Sequence, residues 1–181
     1  MIKVGLYIGR FQPFHMGHIE AIKYALKKTD ELIIAIGSAQ YSYSLDNPFT
    51  TGERITMIRK GLYESGIDTS KYQIVPIPDI NIHTLWIAYV KSYTPKFDLV
   101  FSNEPLTSRL FKETGTKVES IPYFNRNVYS ATEIRKRMIS NEDWQSLMPK
   151  SVSSYLREIG GVDRIIELTR TDNPSIQKSK F

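Results

Sequence analysis

The sequence predicts an α/β fold: a doubly wound, Rossmann-like parallel sheet of about five strands flanked by helices, with a helical extension at its C-terminal end. Three observations carry that expectation. Strand-like and helix-like segments alternate along most of the chain. The segment ELIIAIGS at 31–38 is apolar almost throughout, as a parallel strand buried on both faces requires. A first strand runs into a glycine-ended turn followed at once by a helical pattern, the kind of turn at which such sheets bind ligands.

Each element has its own signal. IKVGLYI (2–8) reads as the first strand, and MGHIEAIKYALKK (16–28) as a helix with Ile19, Ile22 and Leu26 along one stripe. After the strand at 31–38 a polar loop leads to a helix over 51–64, opened by a Thr cap and the early acid Glu53. YQIVPI (72–77) is the third strand, and Pro76 puts it toward a sheet edge or a strand end. A helix over 84–93, the strand FDLVFS (97–102), a short helix with Pro105 at its first position and a last strand, KVESIP (117–122), follow. From Ser130 onward SATEIRKRM, EDWQSL, SVSSYLREI and VDRIIEL are helical in pattern. No linker-like composition and no repeat divides the chain, so one domain is expected over 1–170, helical from about 130, with a mobile polar tail at 171–181.

Composition narrows the function classes. A net charge of +5 and a pI near 9.3 suit an anionic ligand, but the charges are too scattered for a nucleic-acid surface. The absence of cysteine removes disulfides, thiolate nucleophiles and cysteine-ligated metals together. The N-terminus enters a strand without a signal-peptide pattern and no apolar run has membrane-spanning length, so the cytoplasm is the expected compartment and no membrane partner is expected.

Two of the three histidines, His15 and His18, fall in GRFQPFHMGH, three apart at the start of a helix and therefore on one face. Gly9 lets the backbone turn sharply at the strand end, and Pro13 fixes the loop. A helix N-terminus offers free N–H groups and partial positive charge, to which imidazoles add donors: a phosphate site. No Asp or Cys completes a metal set there, and neither G-x-G-x-x-G nor a Walker lysine is present. YSATEIRKRM at 129–138 supplies a second half: Ser130 as N-cap, Glu133 as its capping-box partner, and Arg135 one turn in as a planar, permanently charged donor for a phosphate chain.

H-x-G-H after a first strand, paired with S-x-T-x-I-R in the last third, resembles the nucleotidyltransferase superfamily. The longer strings GRFQPFH-x-GH, NPFT-x-GERI, NEPL with LF, and YSATEIRKRM resemble, specifically, the archaeal-type nicotinamide mononucleotide adenylyltransferases, over nearly the whole chain to about Leu168. The resemblance implies adenylyl transfer from ATP to nicotinamide mononucleotide, giving NAD and pyrophosphate. It implies that Gly9, Arg10 and Phe11 form a loop over the nucleotide and that His15 and His18 bind the ATP phosphates. It implies further that Ser130 and Thr132 donate to the β- and γ-phosphates, that Arg135 neutralises the leaving pyrophosphate, and that Mg²⁺ comes with ATP rather than in a protein cage. For the mononucleotide the stretch 78–90 offers Trp86 as a stacking platform and Asp79, Ile80 and Asn81 as partners of the carboxamide, with Asn125 a further candidate near the ring, while Arg54 reads either as a ligand of its phosphate or as half of a structural ion pair. His83 reads as a cap or packing residue of that loop, and Asp46, an acid beside phosphates, is left outside the site. A homo-oligomer, hexameric as in archaeal relatives, is implied. The shared motifs do not by themselves separate this activity from adenylyl transfer to phosphopantetheine or flavin mononucleotide, or from a non-catalytic nucleotide-binding module.

Overall fold

In a computed structural model, which describes residues 2–122 and 128–171, five short strands stack in parallel. They are β1 (Val4–Gly9), β2 (Glu31–Ile36), β3 (Tyr72–Pro76), β4 (Leu99–Phe101) and β5 (Lys117–Glu119), in the spatial order β3-β2-β1-β4-β5. In register, Leu6 pairs with Ile33 on one side and Val100 on the other, and Ile36 pairs with Pro76 at the end of the edge strand β3. Pro76 lacks an N–H for a further ladder bond, so its place at the end of an edge strand is where the sequence expected it. β5 is shorter than its sequence pattern, ending at Glu119.

The helices are α1 (Met16–Leu26), α2 (Thr51–Glu64), α3 (His83–Tyr93), α4 (Pro105–Glu113), α5 (Ala131–Ile139), α6 (Lys150–Glu158) and α7 (Gly161–Thr171). EDWQSL forms only a 3-10 turn, Gln145–Leu147, instead of the helix expected there. The expected tail at 171–181 lies, from 172 on, outside the described residues, as does Asn125.

Alternate residues of β2 serve two cores. Leu32, Ile34 and Ile36 pack with α1, α2 and the C-terminal helices through Ile22, Met57, Ile134, Val152 and Leu156. Ile33 and Ala35 face α3 and α4 through Ile87, Val90 and Phe111. Each such fully buried aliphatic or aromatic side chain contributes about 1.5–3 kcal/mol relative to exposure.

The strand order reverses between β1, whose chain crosses to β2, and β4, whose chain crosses to β5. Beyond the carboxyl ends of these two strands the loops diverge and leave a crevice, the place where doubly wound sheets bind ligands.

Candidate active site

The crevice is a cavity of about 320 Å³, and its wall includes Arg10, Gln12, His15, His18, Ser130, Thr132 and Arg135. The two halves recognised in the sequence, more than a hundred residues apart, therefore meet in one cavity. α1 delivers the histidines from the β1 side; α5 delivers Ser130, Thr132 and Arg135 from opposite.

His15 is the N-cap of α1, in extended conformation, and is 5% exposed. Its ring stacks on that of half-buried His18, with centroids 3.7 Å apart. The backbone N–H of His15 donates to His18 Nδ1 at 3.2 Å, so neutral His18 carries its ring hydrogen on Nε2, as a donor. His15 Nδ1 is buried with no hydrogen-bond partner among the described residues. Burial lowers the His15 pKa to about 3, and burial with the neighbouring His15 holds His18 well below its ordinary range. Both rings are neutral in the free protein. Gly17 makes the arrangement possible, because a Cβ there would sit 3.0 Å from both His15 Cε1 and Tyr129 Cβ.

Gly9 and Phe11 shape the loop through packing, and Phe11 also lines the cavity beside Arg10. Phe11 is 1% exposed and has φ of +54°, so the backbone swings through the left-handed region to bury the ring. The ring lies 2.9 Å from where a Gly9 Cβ would stand, and packs edge-on against Tyr7 and His18. Here the glycine leaves room for the Phe11 ring, and Arg10, exposed at the cavity wall, is the charged side chain of the loop.

Ser130 Oγ accepts from the Glu133 N–H at 3.2 Å, as an N-cap should. The expected reciprocal capping box does not form: the Glu133 carboxylate accepts from Arg137 Nε at 2.9 Å instead, and the Ser130 N–H stays free of it. Arg135, largely buried, donates from Nη1 to the Gln12 carbonyl at 2.8 Å, and its Nη2 lies 4.0 Å from exposed Asp46. Burial and nearby Arg10 lower its pKa, while Asp46 opposes that shift. Gln12, overlooked in the sequence, is 1% exposed and clasps the backbone of Phe49 with two 2.9 Å bonds. Asn103 likewise pins the end of β5, donating to the Ile121 carbonyl and accepting its N–H. Glu104, a carboxylate in the cavity wall, accepts from the N–H groups of Leu106 and Thr107 and so caps α4.

Arg54, read as a phosphate ligand or a structural ion pair, makes structural contacts here, to loop carbonyls rather than to an acid. It is 0% exposed and donates to the carbonyls of Arg10, Gly37 and Ser38 at 2.9–3.1 Å and to Thr51 Oγ1 at 2.9 Å. Burial lowers its pKa to about 10. The guanidinium is spent on loop carbonyls and on the Thr51 hydroxyl.

A second cavity, of about 390 Å³, is lined by Asp79, Ile80, Asn81, His83, Trp86, Leu106, Thr107 and Leu110. It brings together four of the six residues expected around the mononucleotide. Trp86 is half-buried with its ring edge-on to Phe111, so its indole is partly core and partly cavity wall. The Asp79 carboxylate accepts from the Ser38 N–H at 3.1 Å and hydroxyl at 2.7 Å, which joins the β3–α3 loop to the β2–α2 loop. His83 does not cap: the N-cap of α3 is Ile82, without a side-chain bond, and His83 is exposed in the cavity wall. The first turn of α4 separates the two cavities, Glu104 lining one and Leu106 and Thr107 the other.

Among the described residues no group of three or more His, Cys, Asp or Glu is arranged to hold a metal ion. Among them, too, no helix is long and apolar enough to cross a membrane.

Comparison with known proteins agrees with this geometry. Residues 6–137 match the family model described as cytidylyltransferase-like. A nicotinamide-nucleotide adenylyltransferase of Saccharolobus solfataricus is 51% identical over 168 residues, covering 93% of this chain and 98% of that protein. One of Pyrococcus furiosus is 52% identical over 165 residues, covering 91% of this chain and 88% of that protein. Among solved structures, a bifunctional NMN adenylyltransferase/ADP-ribose pyrophosphatase from Francisella tularensis superposes with a TM-score of 0.79 at 24% identity, over 98% of this chain. The same protein in complex with AMP and a manganese ion superposes with a TM-score of 0.76 at 25% identity. This chain spans 55% and 57% of the length of those two bifunctional chains. The β-α-β sheet, the paired histidines at the α1 N-terminus and the matched relatives agree: the chain belongs to the cytidylyltransferase-like family and, within it, to the nicotinamide-nucleotide adenylyltransferases.

Proposed function

We propose that this enzyme transfers the adenylyl group of ATP to nicotinamide mononucleotide, forming NAD and pyrophosphate. The observation that carries the reading is the meeting of His15, His18, Ser130, Thr132 and Arg135 in one cavity at the switch point of the sheet. A phosphate oxygen of the mononucleotide attacks the α-phosphorus of ATP in line, the bond to the β-phosphate oxygen breaks, and pyrophosphate leaves with that electron pair. The nucleophile is already an anion, so the site needs positioning and charge stabilisation rather than a strong base. Neutral His18, a donor through Nε2, is suited to the charge that develops on the α-phosphate. His15, stacked on His18 in the same cavity wall, binds the same triphosphate. Ser130 and Thr132 with the free N–H groups of α5 hold the outer phosphates, and Arg135 neutralises the leaving pyrophosphate. Arg10 closes the same charge field from the β1 loop.

A divalent ion, Mg²⁺ by preference of the triphosphate, enters as part of the ATP substrate. The only carboxylate among the described residues lining the cavity, Glu104, is already bonded to the α4 N-terminus. The second cavity takes the pyridine ring of the mononucleotide against Trp86, with Asp79, Ile80 and Asn81 around the carboxamide. Asn125, beyond the described residues, belongs to the same reading. One catalytic domain in a cytoplasmic homo-oligomer, hexameric by resemblance, completes it.

The test is a coupled assay of NAD formation and pyrophosphate release with nicotinamide mononucleotide, phosphopantetheine and flavin mononucleotide as acceptors. Nicotinamide mononucleotide should be the preferred acceptor, and His18→Ala should lower kcat about 10²–10³-fold, the size of one lost transition-state donor. Faster turnover of another acceptor overturns the substrate assignment. A kcat within a few-fold of wild type removes His18 from the transition state.

A further inference from the structure

The loop between β2 and α2 holds an acid at the rim of the phosphate cavity, and the transfer step gives that acid no part. We infer that Asp46 is the built-in counter-ion of Arg135, displaced by the outer phosphates, and that it sets how tightly the enzyme holds ATP and, after transfer, pyrophosphate. This rests on the reading that Arg135 meets the leaving pyrophosphate.

Asp46 is presented by a tight turn. The Asn47 N–H donates to the Ser44 carbonyl at 3.1 Å, and the Ser44 N–H to the Asn47 carbonyl at 3.3 Å. Leu45 and Asp46 are the two residues between these reciprocal bonds, the pattern of a two-residue hairpin turn. Ser44 Oγ accepts from the Asn47 N–H as well, at 3.2 Å. The turn is braced on both flanks. On one side the Arg164 guanidinium lies over the Tyr43 ring; on the other it donates to the Pro48 carbonyl, and Gln12 clasps Phe49. The carbonyl of that same Gln12 accepts from Arg135 Nη1 at 2.8 Å. One residue therefore fixes both the guanidinium and the loop that carries the acid.

The electrostatics follow from that placement. Arg135 Nη2 and Asp46 Oδ1 are 4.0 Å apart, an attraction through space beyond hydrogen-bond reach. Among the described residues the Asp46 carboxylate makes no hydrogen bond, and its side chain is 80% exposed. Arg10 and Arg135 line one cavity, and Asp46 is the acid that offsets their mutual repulsion at Arg135. A phosphate oxygen offers Nη2 a charge-assisted bond at closer range and takes the guanidinium over. Once it has done so, the carboxylate is a like charge beside it. The penalty is modest where water screens the pair, and it falls on ATP and pyrophosphate alike. Asp46 thus weakens the grip on substrate and eases the departure of product.

The experiment measures the KM for ATP and, by calorimetry, the Kd of inorganic pyrophosphate in wild type, Asp46→Asn and Asp46→Glu. Asp46→Asn keeps the shape of an exposed side chain and removes only its charge. It should lower both constants about threefold to fivefold, the size of one exposed charge pair, and leave the KM for the mononucleotide alone. Asp46→Glu, which keeps the charge, should stay within about twofold of wild type. Unchanged constants in Asp46→Asn overturn the inference. So does a rise, which would make Asp46 a group that holds the triphosphate, directly or through its divalent ion. Equal effects of Asn and Glu overturn it too, since the shape of the turn would then be the cause. Arg135→Gln tests the underlying reading separately: it should weaken pyrophosphate about tenfold, the size of a lost charged hydrogen bond. An unchanged Kd there removes Arg135 from the leaving group. In the Arg135→Gln background Asp46→Asn should have no further effect, and a persistent gain in affinity would show that Asp46 does not act through Arg135.

Discussion

At the scale of single residues the site depends on two imidazoles kept neutral by burial. For His15 the pKa falls from 6.5 to about 3 on folding, so between those values the unfolded chain binds the extra proton. Stability rises with pH wherever the unfolded state holds more protons. The contribution of neutral His15 is therefore intact above about pH 6.5 and is lost as pH falls from there toward 3. The limiting slope for one such group is about 1.4 kcal/mol per pH unit. Urea midpoints of wild type should drop steeply between pH 6 and 4, and His15→Asn should show a visibly shallower acid limb. An identical limb in the variant would mean that His15 is protonated in the folded state. The same burial has a functional side: a neutral ring donates to phosphate without a proton to lose near neutral pH, so turnover should not acquire a histidine limb in that range.

At the scale of elements, Arg54 decides whether the loops at the carboxyl ends of β1 and β2 keep their shape. It stands on α2 with five donors, and the carbonyls of Arg10, Gly37 and Ser38 accept from it. Replacing it with Met leaves these buried carbonyls unpaired, at about 1–3 kcal/mol for each that water does not reach. Arg54→Met should lose about 3–5 kcal/mol in chemical denaturation, and Arg54→Lys most of that, because an ammonium cannot span the same fork. A loss below about 1 kcal/mol in Arg54→Met would show that water replaces the guanidinium. This residue also marks how far the sequence could be read. Strands and most helices were legible from periodicity and helix-start chemistry, whereas the pairing of H-x-G-H with S-x-T-x-I-R was legible only through the resemblance that joins them. Arg54 was not, since a buried arginine serving carbonyls has the same local pattern as a surface arginine awaiting phosphate. Gln12 was silent for a similar reason: its two bonds go to the backbone of Phe49, and backbone partners leave no trace in residue type. Glu133 fitted a capping box by spacing, but Arg137 lies one turn on and wins the carboxylate as an i,i+4 partner.

At the scale of the whole molecule, a half-buried ion pair helps tie α7 to the catalytic half, beside the Glu64 carboxylate of α2, which accepts from the Lys150 and Ser151 N–H groups of α6. Arg164 on α7 donates from Nη1 and Nη2 to the two Glu53 oxygens at 2.7 and 2.8 Å, and each side chain is only 15% exposed. Glu53 also accepts from the Thr50 N–H at 2.8 Å, closing the cap of α2, and Arg164 reaches the Pro48 carbonyl at 3.2 Å. Its guanidinium lies 4.6 Å from the Tyr43 ring centroid, over the loop that carries Asp46 toward Arg135. One residue of α7 thus steadies the cap of α2 and the loop beside the phosphate cavity. Desolvation sets the energetics: the pair gains little over a well-packed apolar pair, but either partner alone is a stranded charge. Arg164→Met should therefore cost about 2–4 kcal/mol in urea denaturation. The double variant Arg164→Met with Glu53→Met should be more stable than the sum of the two single losses predicts, by about 1–3 kcal/mol. Simple additivity would mean that the two side chains act through separate contacts. In that event the C-terminal helices would be held to α2 by the packing of Val152 and Leu156 with Met57 and Ile58 in the shared core and by the bonds of Glu64 to the Lys150 and Ser151 N–H groups, rather than by the charge pair.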